Sequence, residues 1–496
     1  MSDLVLAIDQ GTTGSTIALM DAGGRLLTSV NHEFPQIFPQ PGWVEHDPDS
    51  IWESVEKGLS AVFADGTYNP ADISAIGITN QRETAVLWDA ETGKAVHNAI
   101  VWQCRRTTDV CEKLKSDGHE ALIKARSGLV LDPYFSATKF KWLLDNGADT
   151  QDLLNQGRLR AGTIDSYLIW RLSAGQAHKT DVSNASRTSL MALDSLSWDD
   201  ELLSIFGVPR TILPKICPSS GRFAVTKDVA GLPDGIPISG VAGDQQSALF
   251  GQACFGIGDA KCTFGTGSFI LMNAGDTPVA SNSGLLSTVA WQLDGERAVY
   301  ALEGGAFVCG AAVQWLRDQL GIIQSAPEVE ALAQTVDDAG GVEFVPALAG
   351  LGAPYWAPEA RGTLTGLTRG SGRGEIARAT LDAMALQNVD ILRAMEKDIG
   401  SRMHSLKVDG GASANNFLMQ LQADYLDRPI TRPEVIETTV AGACFLAGLG
   451  EGVWSSPDEV AKVWRSDRSF DVGITDEART SRFASWQSAV AKTLLN

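Results

Sequence analysis

Leu4-Val5-Leu6-Ala7-Ile8-Asp9-Gln10-Gly11-Thr12-Thr13-Gly14-Ser15-Thr16-Ile17-Ala18-Leu19-Met20 places two β-prone runs on either side of a small, polar, glycine-containing turn. That pattern predicts a tight hairpin. Glycine removes side-chain bulk at the tip and exposes consecutive backbone N–H groups, which suits the turn to a phosphate. Thr12, Thr13 and Ser15 add hydroxyl donors. Asp9, at the end of the first run, is placed to orient hydrated Mg2+, an ion that keeps waters and takes one or two carboxylates. An ordinary hairpin is the competing reading of this stretch taken alone.

The pattern recurs at Lys261-Cys262-Thr263-Phe264-Gly265-Thr266-Gly267-Ser268-Phe269-Ile270-Leu271-Met272, about half the chain further on. Two related halves, each pointing a Gly-Thr tip at a common cleft, would use both turns. A third glycine turn, Asp409-Gly410-Gly411-Ala412-Ser413-Ala414-Asn415-Asn416, follows the β-prone Leu406-Lys407-Val408 and precedes a helical run from Phe417 to Tyr425. Apolar residues at three- and four-residue spacings predict an amphipathic helix over 375–397, ended by Gly400. Three turns rich in backbone N–H groups make the phosphate reading better than the ordinary-hairpin one.

Composition narrows the function classes. The 496 residues carry a formal charge of −20, so no general cationic footprint for nucleic acid exists and an anionic ligand must be held by local groups. Seven scattered cysteines without a C-x-x-C pair suggest neither a disulfide framework nor zinc, and they fit a reducing compartment. The N-terminus reads as a strand and not as a signal peptide. The apolar stretch from Ala298 to Leu316 is interrupted by Glu303, Gly304, Gly305 and Gln314, which predicts a buried strand, a turn and a helix in place of a membrane span. Residues 145–157 and 231–237 read as surface connections.

The paired turns with the Gly410-Gly411 turn resemble the actin-like ATPase superfamily, in which two hairpin phosphate loops and an adenosine turn close over ATP. Further strings narrow the likeness. They are Asn80-Gln81-Arg82-Glu83-Thr84, Trp102-Gln103-Cys104-Arg105-Arg106, Asp132-Pro133-Tyr134-Phe135-Ser136, Asn184-Ala185-Ser186-Arg187-Thr188, Gly243-Asp244-Gln245-Gln246, Ala301-Leu302-Glu303-Gly304 and Gly352-Ala353-Pro354-Tyr355-Trp356. In order and spacing they resemble the FGGY carbohydrate kinases, in their glycerol kinase branch, from about residue 4 to residue 460.

The resemblance implies an α/β fold of two ribonuclease-H-like domains around a deep cleft, divided as 1–246 and 247–496. The first would carry the glycerol site and first phosphate loop, the second the other phosphate loop and the adenosine site. It implies ATP-dependent phosphorylation of glycerol to sn-glycerol 3-phosphate in the cytoplasm, in glycerol catabolism, with ATP and Mg2+. Asp244 becomes the general base and a second metal ligand beside Asp9. Arg82, Glu83, Tyr134, Asp244 and Gln245 become the polar wall for glycerol, and Trp102 and Phe269 its apolar cover. Thr12, Thr13, Ser15, Thr266, Gly310, Gln314, Gly411 and Asn415 match the ATP positions. The partners would be glycerol and Mg-ATP, with no nucleic acid and no membrane insertion; a homodimer and a homotetramer are both open.

Each role has a plainer competitor on the residues alone. Asp244 could cap the helix that follows it, Arg82 and Glu83 could form a surface ion pair, and Trp102 and Phe269 could be core aromatics. Two departures from the family pattern stand out. Gly14-Ser15-Thr16 lacks the Arg that some members place after the double Thr, and Phe264 replaces a Tyr. Some members also bind an inhibitory sugar bisphosphate at a glycine loop bearing an Arg; the matching residues 229–237 contain no Lys or Arg.

Overall fold

The computed structural model describes residues 4–495. Strand β1 (Leu4–Gln10) is apolar on both faces because it lies inside a sheet covered on both sides. It pairs antiparallel with β2 (Gly14–Asp21), which pairs with β3 (Leu26–Glu33), and parallel with β4 (Ile73–Asn80). With β5 (Ser220–Val225) and β6 (Pro237–Gly243) the sheet order is β5-β6-β4-β1-β2-β3. Helix α1 (Pro48–Val62) covers it, started by Pro48 and by an Asp47 side chain that accepts from the Asp49 and Ser50 N–H groups. Its Ile51, Val55 and Leu59 share one buried face. Helix α2 (Ser136–Asn146) follows the Tyr134 loop, and β6 runs directly into α3 (Asp244–Gly251).

The second sheet repeats this plan. It contains β7 (Ala260–Phe264), β8 (Ser268–Gly275), β9 (Leu286–Gln292), β10 (Ala298–Ala306), β11 (Leu406–Asp409), β12 (Ile430–Pro433) and β13 (Ser466–Phe470), in the order β9-β10-β8-β7-β11-β12-β13. The hairpin β7–β8 with its parallel neighbour β11 corresponds to β1–β2 with β4. The repeat expected from the two Gly-Thr turns is therefore one of topology. Helix α4 (Gly310–Asp318) follows β10, so the Ala298–Leu316 stretch is the strand, turn and helix expected. Helix α5 (Arg373–Ile399), ended by left-handed Gly400, is the helix anticipated over 375–397 with two further residues at each end. Helix α6 (Asn416–Leu426) follows the third glycine turn. The stretch 145–157 is not wholly a connection, because Thr150–Asn155 makes a short helix.

Helix α7 (Thr438–Gly450) joins the halves. It is apolar on all sides because it is buried on all sides. It packs on α3 and also on β1, β4 and β6 of the first sheet. A Cβ at Gly77 would lie 2.1 Å from Ala443 O, one at Gly240 2.3 Å from Ala447 N, and one at Gly442 1.8 Å from Ser247 O. Glycine at these three places is a condition of the contact. The boundary expected at 246/247 falls inside α3, at this crossing. No helix of the described residues is long and apolar enough to cross a membrane.

Candidate active site

The first turn is closed by Gly11 N–H donating to Gly14 O at 2.9 Å, with Thr13 exposed at its tip. Behind it, Gln36 Nε2 donates to Thr12 O at 3.0 Å, and Gln81 Nε2 donates to Gln10 Oε1 at 3.0 Å and Gly11 O at 3.2 Å. Buried His46 joins these amides, its Nε2 2.8 Å from Gln36 Oε1 and its Nδ1 3.2 Å from Gln81 Nε2. Donors and acceptors match if His46 is neutral and protonated on Nε2. Burial holds it there by lowering its pKa to about 4. Ser15 is not at the tip: strand alternation turns it inward, where its hydroxyl accepts from Ser54 of α1 at 2.7 Å.

The second turn is closed by Gly265 N–H to Gly267 O at 2.9 Å and leaves Thr266 exposed. The start of α4 docks on it: Gly310 N–H donates to Gly265 O at 2.9 Å, and Cys309 and Ala311 N–H groups donate to Thr266 O at 2.8 and 3.1 Å. Gln314 stands exposed one turn further along α4. The third turn presses its Gly410 against the backbone of Phe264, where a Cβ would lie 2.7 Å from the carbonyl oxygen, while Gly411 faces open space. Asn415 Oδ1 caps α6 by accepting from Leu418 N–H at 2.8 Å.

Asp9 and Asp244 are neighbours, close enough for the charge of one to act on the other. Thr439, at the start of α7, donates to Asp9 Oδ2 at 2.8 Å. Burial raises the Asp9 carboxyl to about 7 against that hydrogen bond, with Asp244 and Glu437 adding to the rise. Asp244 opens α3 but does not occupy its N-cap position, which is Gly243; its Oδ1 accepts from the Gln245 N–H at 2.7 Å. Its side chain keeps 30% of its surface exposed, and burial raises its pKa against the opposing Arg82 and Lys261 charges. Two neighbouring carboxylates without a full complement of donors suit a hard cation such as Mg2+. Among the described residues no larger cluster of His, Cys, Asp or Glu forms a metal cage.

The remaining polar wall is a buried chain of alternating charges. Arg82 Nε lies 3.2 Å from Asp244 Oδ1, and its two terminal nitrogens grip Glu303 at 2.5 and 2.9 Å. Arg187 then donates to Glu303 Oε1 at 3.1 Å and to Glu83 Oε1 at 2.7 Å. Arg82, Glu83, Arg187 and Glu303 are 3%, 1%, 0% and 2% exposed, which excludes the surface-pair reading. The charged ends of Arg82 and Glu83 meet only loosely, Arg82 Nε lying 3.9 Å from Glu83 Oε1. Burial works to raise the Glu303 carboxyl, but the Arg187 and Arg82 guanidiniums outweigh it and hold it at about 2. For Glu83, burial prevails over the same two cations and the shift is upward.

Around this chain, Arg82 also donates to Tyr134 Oη at 3.4 Å, and the Trp102 and Tyr134 rings meet edge to face at 5.7 Å. Trp102 Nε1 donates to Thr12 Oγ1 at 3.0 Å, linking the aromatic cover to the first turn. Gln245 accepts from the buried Lys261 ammonium, which also donates to Thr263 Oγ1 at 2.8 Å. Phe269 lies on β8, half-buried against Gly305. Three wall residues had no role assigned from sequence: Arg187, Glu303 and Lys261. Each had a signal, because a lone charge within a segment otherwise apolar or small must find a buried partner. A separate cavity of about 450 Å3, lined by Arg25, Leu26, Val435, Phe445 and Trp464 among others, includes none of the site residues.

Two glycine turns of matching topology, a helix docked on the second and a pair of neighbouring carboxylates are the parts that a phosphotransferase site requires. Residues 4–251 match the N-terminal domain, and residues 260–451 the C-terminal domain, of the FGGY family of carbohydrate kinases. The chain belongs to that family. A glycerol kinase of Bdellovibrio bacteriovorus is 57% identical over 492 residues, 99% of each chain. One of Symbiobacterium thermophilum is 55% identical over 488 residues, 98% of each chain. The solved structure of Plasmodium falciparum glycerol kinase with ADP superposes with a TM-score of 0.94 at 35% identity, covering 100% of this chain and 99% of that one. Gluconate kinase from Lactobacillus acidophilus, at 22% identity and a TM-score of 0.87, shares the fold.

Proposed function

We propose that this chain is a glycerol kinase, transferring the γ-phosphoryl group of Mg-ATP in line to a terminal hydroxyl of glycerol to give sn-glycerol 3-phosphate and ADP. The observation that carries the proposal is the alternating chain Asp244, Arg82, Glu303, Arg187, Glu83, which ends on a partly accessible carboxylate. The relatives named glycerol kinase support the choice of acceptor.

In this reading Asp244 accepts the proton of the attacked hydroxyl. Its raised pKa improves it as a base, and the nearby Arg82 and Lys261 charges keep it ionised enough to act. Arg82, Glu83, Tyr134 and Gln245 hydrogen-bond the triol, while Trp102 and Phe269 cover its carbons. The N–H groups of the two Gly-Thr turns, with the Thr12, Thr13 and Thr266 hydroxyls, stabilise charge on the transferring group. Gly310, Gln314, Gly411 and Asn415 line the nucleotide end. Mg2+, held through Asp9 and Asp244, would neutralise phosphate charge when bound. Ser15 serves the first loop from inside, through Ser54, and not by touching phosphate. Residues 1–246 would carry the acceptor and 247–496 the nucleotide, with closure excluding water. The setting is cytoplasmic glycerol catabolism.

The test is coupled ADP release across a panel of polyols and sugars. Glycerol should support turnover best. A preference for a pentulose or a hexonate would overturn the acceptor assignment.

A further inference from the structure

Glu303 stands in β10, at the end of an apolar run, and its carboxylate reaches from the second sheet to two arginines of the first half. Both its oxygens are occupied: Oε2 by one terminal nitrogen of Arg82, Oε1 by the other and by Arg187. A bidentate fork fixes the plane of a guanidinium as well as its position. Arg82 is thereby held between two carboxylates, Glu303 along its fork and Asp244 beside Nε.

We propose that Glu303 is a positioning residue of the acceptor site, which orients Arg82 and Arg187 across the two halves and keeps Arg82 from closing on Asp244. The inference rests on the glycerol reading of that site and deepens it. Without the Glu303 charge, the carboxylates left near Arg82 are Asp244, 3.2 Å from its Nε, and Glu83, 3.9 Å from it and already held by Arg187; a bidentate pair with the nearer Asp244 would withdraw the proposed base from the substrate. Arg187 would keep Glu83 but lose its link to Arg82. Since Glu303 belongs to one half and its partners to the other, the acceptor wall is complete only when the halves are together. Glu303 thus links acceptor affinity to closure without touching the acceptor itself.

The experiment is steady-state kinetics of Glu303→Gln with glycerol and ATP varied separately. The glycerol KM should rise about tenfold or more, as expected for losing a charged hydrogen bond, while the ATP KM stays within about twofold. Because Glu303 acts through Arg82, adding Glu303→Gln to Arg82→Ala should change the glycerol KM by less than about twofold. Glu303→Asp keeps the charge that folding needs and shortens the reach; it should raise the glycerol KM by an intermediate amount, and it carries the measurement if Glu303→Gln does not fold. An unchanged glycerol KM, equal losses for both substrates, or full additivity with Arg82→Ala would overturn the proposal. A wild-type enzyme without glycerol-dependent ADP release would instead overturn the glycerol reading, before any variant is compared.

Discussion

Thr439 donates its hydroxyl to Asp9 Oδ2 at 2.8 Å, so the carboxylate at the end of β1 is held by the first turn of α7, a helix of the second half that lies between β12 and β13 in the chain. The two residues are 430 positions apart. A hydrogen bond to a charged group contributes about 1.5–3 kcal/mol, and Val matches Thr in shape. Thr439→Val should therefore raise the Mg2+ concentration for half-maximal rate by about tenfold. The glycerol KM should hardly move. Mg2+ titration of the rate at saturating ATP checks this, and an unchanged midpoint would separate Asp9 from the metal.

Gly442 is the tightest point of the helix crossing, where a Cβ would meet Ser247 O at 1.8 Å. Backbone cannot yield as a side chain can, so Gly442→Ala must push α7 away from α3. Overpacking of this kind costs about 1–3 kcal/mol, and Asp244 at the start of α3 would shift with it. A lower melting temperature together with reduced kcat is the expected result, by calorimetry and ADP release. Normal stability and rate would show that the crossing has slack.

His46 gives the first turn a pH dependence of known sign. Its pKa is lowered from 6.5 to about 4 in the folded protein by burial. Below pH 6.5 the unfolded chain takes up a proton that the folded one refuses, so stability falls as pH drops through that window and the loss is complete near pH 4. At pH 5 the contribution is about 2 kcal/mol. Urea unfolding at pH 7.5 and pH 5, in wild type and His46→Gln, should show a smaller acid loss in the variant. Equal losses would place the titration elsewhere.

How much of this was legible in the sequence depended on range. The hairpins were visible because glycines and hydroxyl residues at the tips interrupt apolar runs, and the third turn because strand, glycines and helix start follow one another. The direction of Ser15 was missed, although the period of two along β2 contains it: the tip ends at Gly14 and the next side chain turns inward. Pairing across the cleft was not legible at all. Arg82 and Glu303 are 221 positions apart, and nothing local tells an acid in an apolar strand which cation it will meet. The neighbour suggested by sequence, Glu83, turned out to belong to Arg187.

The loop that carries an arginine in some family members also makes a prediction. Lys227, the cation just before it, pairs with Asp234 at 2.5 Å and Asp228 at 3.8 Å, and residues 229–237 themselves contain no Lys or Arg. Fructose 1,6-bisphosphate at low millimolar concentration should leave the rate unchanged. Saturable inhibition, non-competitive with both substrates, would contradict this.

Asp244→Asn tests the centre of the proposed mechanism. The amide keeps the shape and one acceptor of the carboxylate but cannot take a proton from the attacked hydroxyl. General-base contributions of roughly 10²–10⁴ in rate correspond to about 3–5 kcal/mol of barrier, so kcat should fall by an amount in or near that range. The affinity for ATP should persist, because both Gly-Thr turns remain, and the melting temperature should change little, since Gly243 and not Asp244 is the N-cap of α3. The measurement is kcat on this one variant, with ATP affinity and melting temperature taken on the same sample. A hundredfold or greater loss with intact ATP binding is the expected result, and a near-normal kcat would remove Asp244 from the chemistry.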